Sequence, residues 1–147
     1  MLQPIALLAS PEDTEAQFYE ALQQGDIDKL MAVWSDDDEI VCVHPGGPRL
    51  VGAAAIRAAF EQMFGGGGAI HARPDKVRRI QTLTTAVHSV LEKVEFSSAD
   101  GPRTAHVVAT NVYVKGPQGW RLVCHHASPG SAQELQDLAT PQAALLH

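Results

Sequence analysis

The sequence predicts an α+β domain, with helices in its first half and a long antiparallel sheet in its second. Two observations carry this reading. Apolar residues recur at helical spacing in three stretches between Pro11 and Phe64. From Ile70 to Ser128 that periodicity gives way to long β-rich runs separated by turn residues. A four-glycine run, Gly65 to Gly68, separates the two regimes. At 147 residues the chain fits one domain, large enough to bury roughly two-thirds of the surface its unfolded form exposes.

The first helix is signalled by Ser10 as cap, Pro11 at the first helical position and Asp13 near the positive end of the helix dipole. Phe18, Ala21 and Leu22 form its apolar stripe, and Gly25 ends it in the left-handed conformation that glycine tolerates best. Asp26 caps a second, short helix carrying Ile27, Leu30, Met31, Val33 and Trp34. The acidic run Ser35-Asp36-Asp37-Asp38-Glu39 lacks the alternating ligands, central glycine and closing glutamate of a calcium loop, and reads as a hydrated connector.

The stretch Ile40 to Gly52 is the centre of the chain. It reads as a strand ending on His44, a turn at Pro45-Gly46-Gly47-Pro48, a second short strand and a glycine leading into a helix. Ile56, Ala59, Phe60, Met63 and Phe64 place that third helix from about Ala53 to Phe64. The glycines after it follow a helix instead of opening one, so they are no phosphate cradle but a flexible connector, or a lid over a pocket. Long strands follow over His71 to Thr82, Thr85 to Phe96, Thr104 to Lys115 and Trp120 to Ser128, with Pro74 marking an edge or bulge. Three hairpin-linked strands of this length are expected to curl.

Seventeen acidic residues against eleven basic ones give a net charge of −6, which argues against a nucleic-acid backbone as partner. Arg73, Lys76, Arg78 and Arg79 read as the solvated face of a strand. Cys42 and Cys124 lie in apolar strand-like runs and are expected as reduced thiols. The first ten residues have no basic n-region and are too short to span a bilayer, so a cytoplasmic protein with no membrane contact is expected. No His-x-His or His-x-x-x-His pair occurs, so neither a metal nor a cofactor is expected.

The Gln24-Gly25-Asp26 junction, Trp34 before Ser35-Asp36-Asp37-Asp38, His44-Pro45-Gly46-Gly47, Leu50-Val51-Gly52 before Ala55-Ile56-Arg57, and the closing Gly119-Trp120-Arg121-Leu122-Val123-Cys124-His125-His126-Ala127-Ser128 together resemble a known family. The chain is similar to the nuclear-transport-factor-2-like cone superfamily and, within it, to the SnoaL-like branch. The resemblance implies a cone-shaped roll over residues 11–128, three N-terminal helices packed on a strongly curved, mixed but mostly antiparallel sheet. An N-terminal arm, 1–10, and a C-terminal tail, 129–147, flank it.

The fold hosts isomerases, dehydratases and cyclases as well as modules that only bind or assemble. In the ketosteroid isomerase pattern the base precedes a proline at the end of the first strand, which here is His44. That pattern's tyrosine position falls at about Glu15, with Tyr19 one turn later, and its acid position at Thr110 or Asn111. Its pair of oxyanion donors is therefore missing, and steroid isomerisation by that mechanism is not expected. The paired histidines also resemble the calcium/calmodulin-dependent kinase II association domain, which implies pocket-facing positions for Asn111 and His126.

The final hairpin supplies its own geometry. A four-residue loop at Gly116 to Gly119 sets Lys115 opposite Trp120, Asn111 opposite Cys124 and Ala109 opposite His126. Asn111, Tyr113, Leu122, Cys124 and His126 then share the interior face, and Thr110, Val112, Val114, Val123 and His125 the outer one. A slip of one residue would exchange the two sets.

Two readings follow. In the first, His44 is the acid/base group of a cofactor-independent isomerase, dehydratase or cyclase acting on a small enolisable or hydroxylated compound, with Asn111, His126, Tyr19, Trp34, Cys124 and Tyr113 around the substrate. In the second, His44 merely closes a strand and the chain is a non-catalytic ligand-binding or dimerisation module. A homodimer through the outer sheet face is expected in both.

Overall fold

The computed structural model describes residues 8–131. Most of the expected arm and most of the expected tail lie outside them.

Ser10 caps α1 (Pro11–Gln24), its Oγ accepting the Asp13 backbone N–H at 3.1 Å, and Gly25 closes it at φ 64°. The stripe Phe18, Tyr19, Ala21 and Leu22 is buried. Asp26 caps α2 (Ile27–Met31), which is shorter than its apolar spacing predicts. The reason is competition for backbone groups. The last strand takes over: the Leu122 N–H donates to the Val33 carbonyl at 2.8 Å, and the Ser35 N–H donates to the Leu122 carbonyl at 2.9 Å. Trp34 consequently sits beside Leu122 in a parallel bridge.

The central stretch forms β1 (Val41–Val43) and β2 (Arg49–Val51), joined by a turn in which the Gly47 N–H donates to the His44 carbonyl at 2.8 Å. Gly52 then leads into α3 (Ala53–Gly67), with Ile56 and Phe60 buried. The glycine run does not break this helix where expected. Gly65, Gly66 and Gly67 continue it, and Gly68, at φ 77°, ends it by donating to the Phe64 carbonyl at 2.7 Å. A glycine costs a helix only ~1 kcal/mol relative to alanine, so a final turn tolerates the run.

Four long strands complete the chain: β3 (His71–Gln81), β4 (Thr85–Ser98), β5 (Gly101–Gly116) and β6 (Gly119–Pro129). They join β1 and β2 in one mixed, mostly antiparallel six-stranded sheet of order β2-β1-β6-β5-β4-β3, in which β1 and β6 are the parallel pair. The sheet is not strongly curled, in contrast to the expectation from strand length; it stays open, with β2 and β3 as edges. Helices supply the cover that curling would otherwise have to provide: Phe18, Leu22, Ile56 and Phe60 from α1 and α3 form one core with Ala72, Ala86, Val90, Tyr113 and Leu122 from the sheet. Arg73, Lys76, Arg78 and Arg79 are exposed on edge strand β3. Its bulge lies just after Pro74, between Asp75 and Arg78.

A second bulge decides the site. The hairpin register begins as predicted, Lys115 opposite Trp120, but β6 carries one extra residue, Val123, between the pairs Tyr113–Leu122 and Val112–Cys124. Beyond it Asn111 faces His125 and Ala109 faces Ala127. The expected interior positions of Cys124 and His126 are thereby overturned. His125, expected outside, is buried, whereas His126 is exposed and Cys124 is half-buried opposite Val112.

Candidate functional site

A cavity of about 310 Å³ lies between α1, α3 and the inner face of the sheet. Its wall is largely apolar, with Phe18 and Leu22 from α1, Phe60 and Met63 from α3, and Val94 and Val107 from the sheet among its residues. Of the lining side chains, His44, Glu92 and His125 alone carry nitrogen or oxygen.

His44 sits just past the end of β1, half-buried, in the turn made by Pro45, Gly46 and Gly47. Its ring stands edge-on to Phe60, centroids 4.9 Å apart, and lies 6.4 Å from the ring of His125. Its Nε2 is 3.7 Å from the Cys42 Sγ. Burial lowers the His44 pKa below the ordinary imidazole value, so the ring is neutral at neutral pH. Burial also holds the Cys42 thiol up at about 12, which leaves it a packing residue and not a thiolate.

Behind the cavity wall runs a buried polar chain. His125 Nδ1 donates to Asn111 Oδ1 at 2.5 Å, Asn111 Nδ2 donates to the Tyr19 hydroxyl at 3.1 Å, and Tyr19 donates to Glu92 Oε2 at 2.6 Å. The amide oxygen can only accept, so the His125 proton is on Nδ1 and its Nε2 carries a lone pair. Burial, with His44 and His126 adding smaller contributions, pushes the His125 pKa down to about 3. Burial pushes Glu92 the other way, up to about 7, against the opposing Tyr19 hydrogen bond and with Glu15 adding to the rise. Next to this chain, Glu15 Oε2 accepts from Tyr113 at 3.1 Å and pairs with His88 Nδ1 at 2.7 Å.

Of the residues expected at the site, His44 lines the cavity directly. Asn111, Tyr19 and Tyr113 are buried in the network behind it. Trp34 borders a different hollow of about 420 Å³ with Met31, Asp36, Pro117 and Arg121, which shares no residue with the first. Cys124 and His126 are on the other face of the sheet, for the register reason given above.

Sequence reasoning overlooked Glu92 and His88, set His125 on the outer face, and noted Glu15 only as the occupant of the family's tyrosine position. For Glu15 a signal was present, since it stands three, four and seven residues before Phe18, Tyr19 and Leu22, on the stripe that α1 buries. For β4 there was none: each alternating set mixes apolar and polar residues, Ala86, His88, Val90, Glu92 and Val94 against Val87, Ser89, Leu91, Lys93 and Glu95. Among the described residues, no group of three or more His, Cys, Asp or Glu side chains is arranged to hold a metal ion, and no helix is long and apolar enough to cross a membrane.

The model of the SnoaL-like domain matches residues 12–132. A crystal structure from Thiobacillus denitrificans, provisionally described as a calcium/calmodulin-dependent protein kinase type II association domain, is 36% identical, with a TM-score of 0.77 over 88% of this chain and 100% of that one. A provisionally described dehydratase of the NTF2-like family from Streptomyces avermitilis is 28% identical, with a TM-score of 0.73 over 81% of this chain and 93% of that one. The hub of the S. rosetta kinase CaMKII, 24% identical with a TM-score of 0.66 over 83% and 98% of the two chains, shares the fold. No curated protein sequence matches the chain.

Proposed function

The chain belongs to the SnoaL-like domain family, within the NTF2-like superfamily, and from that premise we propose that it is a small-molecule enzyme working without a cofactor, with His44 as its acid/base group. The observation that carries this reading is the apolar cavity into which a neutral imidazole, His44, faces beside a second one, His125. A neutral imidazole can take the proton next to a carbonyl group. As imidazolium it can return that proton to another carbon, which is isomerisation, or give it to a departing hydroxyl so that water leaves and a double bond remains, which is dehydration. One residue thus serves both halves of either reaction. The similarity to a provisionally described dehydratase supports the second outcome. His125, its Nε2 lone pair free of its own network, would orient a substrate hydroxyl. Two free thiols fit a cytoplasmic setting.

The test is a thermal-shift screen of small carbonyl and aromatic compounds on the wild type and on His44→Ala. Stabilisation that weakens in His44→Ala is expected, and any turnover should fall as pH drops through a value below the ordinary imidazole pKa of ~6.5, because the base is then protonated. Unaltered melting with every compound would remove the catalytic reading.

A second reading, an assembly module, is favoured by the 36% identity to a provisionally described association domain. It would use the outer sheet face, where Val41, Val43, Val108 and Val112 are half-buried, to form a homodimer.

A further inference from the structure

Glu92 is a carboxyl group without a counter-charge. It is 5% exposed and lines the cavity. No lysine or arginine lines the cavity with it. The titratable groups facing it are Glu15 and Tyr19 from α1, Cys42 and His44 from β1 and the turn after it, Tyr113 from β5, and His125 from β6. None of these brings a positive charge at neutral pH. The His88 imidazole of the same strand is directed to Glu15, at 2.7 Å. Tyr19 occupies one Glu92 oxygen, Oε2.

With Glu92 ionised, acceptors outnumber donors among the groups that meet the cavity: the carboxylate, the Nε2 lone pair of His125 and one ring nitrogen of neutral His44, whose other nitrogen is the single donor. Phe18 and Phe60 add aromatic surface, which favours a cation over an anion. A carboxylate or phosphate ligand would bring like charge to Glu92 with nothing to offset it. A primary ammonium has three donors for these acceptors and neutralises the carboxylate in the cavity wall.

We propose that the cavity recognises a small compound carrying a primary ammonium group on an apolar ring or chain, with Glu92 as its counter-ion and His125 and His44 as hydrogen-bond acceptors. This names the substrate class of the chamber proposed above and rests on that reading. Burial raises the proton affinity of Glu92, with Glu15 adding to the rise, and a bound ammonium lowers it.

Calorimetric titration of the full chain with benzylamine, benzyl alcohol and benzoate, at pH 6 and pH 8, tests the proposal. Benzylamine is expected to bind about tenfold tighter at pH 8 than at pH 6, because Glu92 ionises between them at about 7. At pH 7 its binding should release protons, seen as a heat that varies with the buffer. Glu92→Gln should abolish the preference for benzylamine over benzyl alcohol; the pH series on the wild type stands independently if that variant fails to fold. Binding of benzoate or benzyl alcohol as tight as that of benzylamine, or benzylamine affinity indifferent to pH, overturns the proposal while leaving the chamber intact. Failure of all three probes overturns the chamber reading along with it.

Discussion

At position 92 the folded chain holds a proton that an unfolded chain would release between pH 4.5 and about 7. Across that window the native state binds more protons than the unfolded one, so this residue's contribution to stability declines as pH rises. The difference amounts to about 3 kcal/mol. Glu92→Gln keeps an acceptor for the Tyr19 hydroxyl and removes the titration, so its stability relative to wild type should rise by roughly that amount between pH 4.5 and pH 8, measured by urea unfolding. A constant difference between the two proteins would mean that the carboxylate is solvated. His125 acts in the opposite direction. Its pKa is depressed from 6.5 to about 3, so its contribution is complete above pH 6.5 and is lost as pH falls toward 3. His125→Asn should therefore flatten the acid limb of the stability curve and leave the alkaline limb unchanged. These two residues and His44, not the apolar lining, make the cavity sensitive to pH.

Among the elements, β6 has the most demands placed on it. At its start, Gly119 adopts φ 99°, and a Cβ there would lie 2.4 Å from the Leu8 carbonyl oxygen, the group that accepts the Trp120 N–H at 2.8 Å. Gly119→Ala must strain the backbone and displace that segment together, at an expected cost of about 2 kcal/mol or more by chemical denaturation. Stability within 0.5 kcal/mol of wild type, ~the spread of neutral surface changes, would show that the Leu8 contact is dispensable. Further along, the extra residue Val123 exchanges the two adjacent histidines between faces. Alternation along β5 and β6 correctly indicates Asn111, Tyr113 and Leu122 as interior. It fails for Cys124, His125 and His126 because a bulge is a local loss of pairing that leaves no composition signature: Val123 is as good a strand residue as its neighbours.

On the scale of the whole molecule, six strands and three helices enclose a cavity on one face of the sheet and leave the other face without cover among the described residues. The pairing proposed for that outer face predicts a dimer in sedimentation velocity at micromolar concentration. Val108→Asp together with Val112→Asp, both on that face of β5, should yield a folded monomer. A wild-type monomer, or a dimer indifferent to both changes, would place assembly elsewhere. His44→Ala, on the inner side, should leave the association state unaltered.

Helix caps at Ser10 and Asp26, the closing Gly25, the turn after His44 and the order of helices and strands were all determined by the sequence itself. Each depends on residues within a few positions of one another, where spacing and backbone preference act directly. The meeting of Tyr19 with Glu92, 73 residues apart, and of Asn111 with His125 across a bulge was decided only by tertiary structure. Burial on assembly then moved the protons. A side chain's charge depends on which distant groups replace its water, and no local pattern contains that.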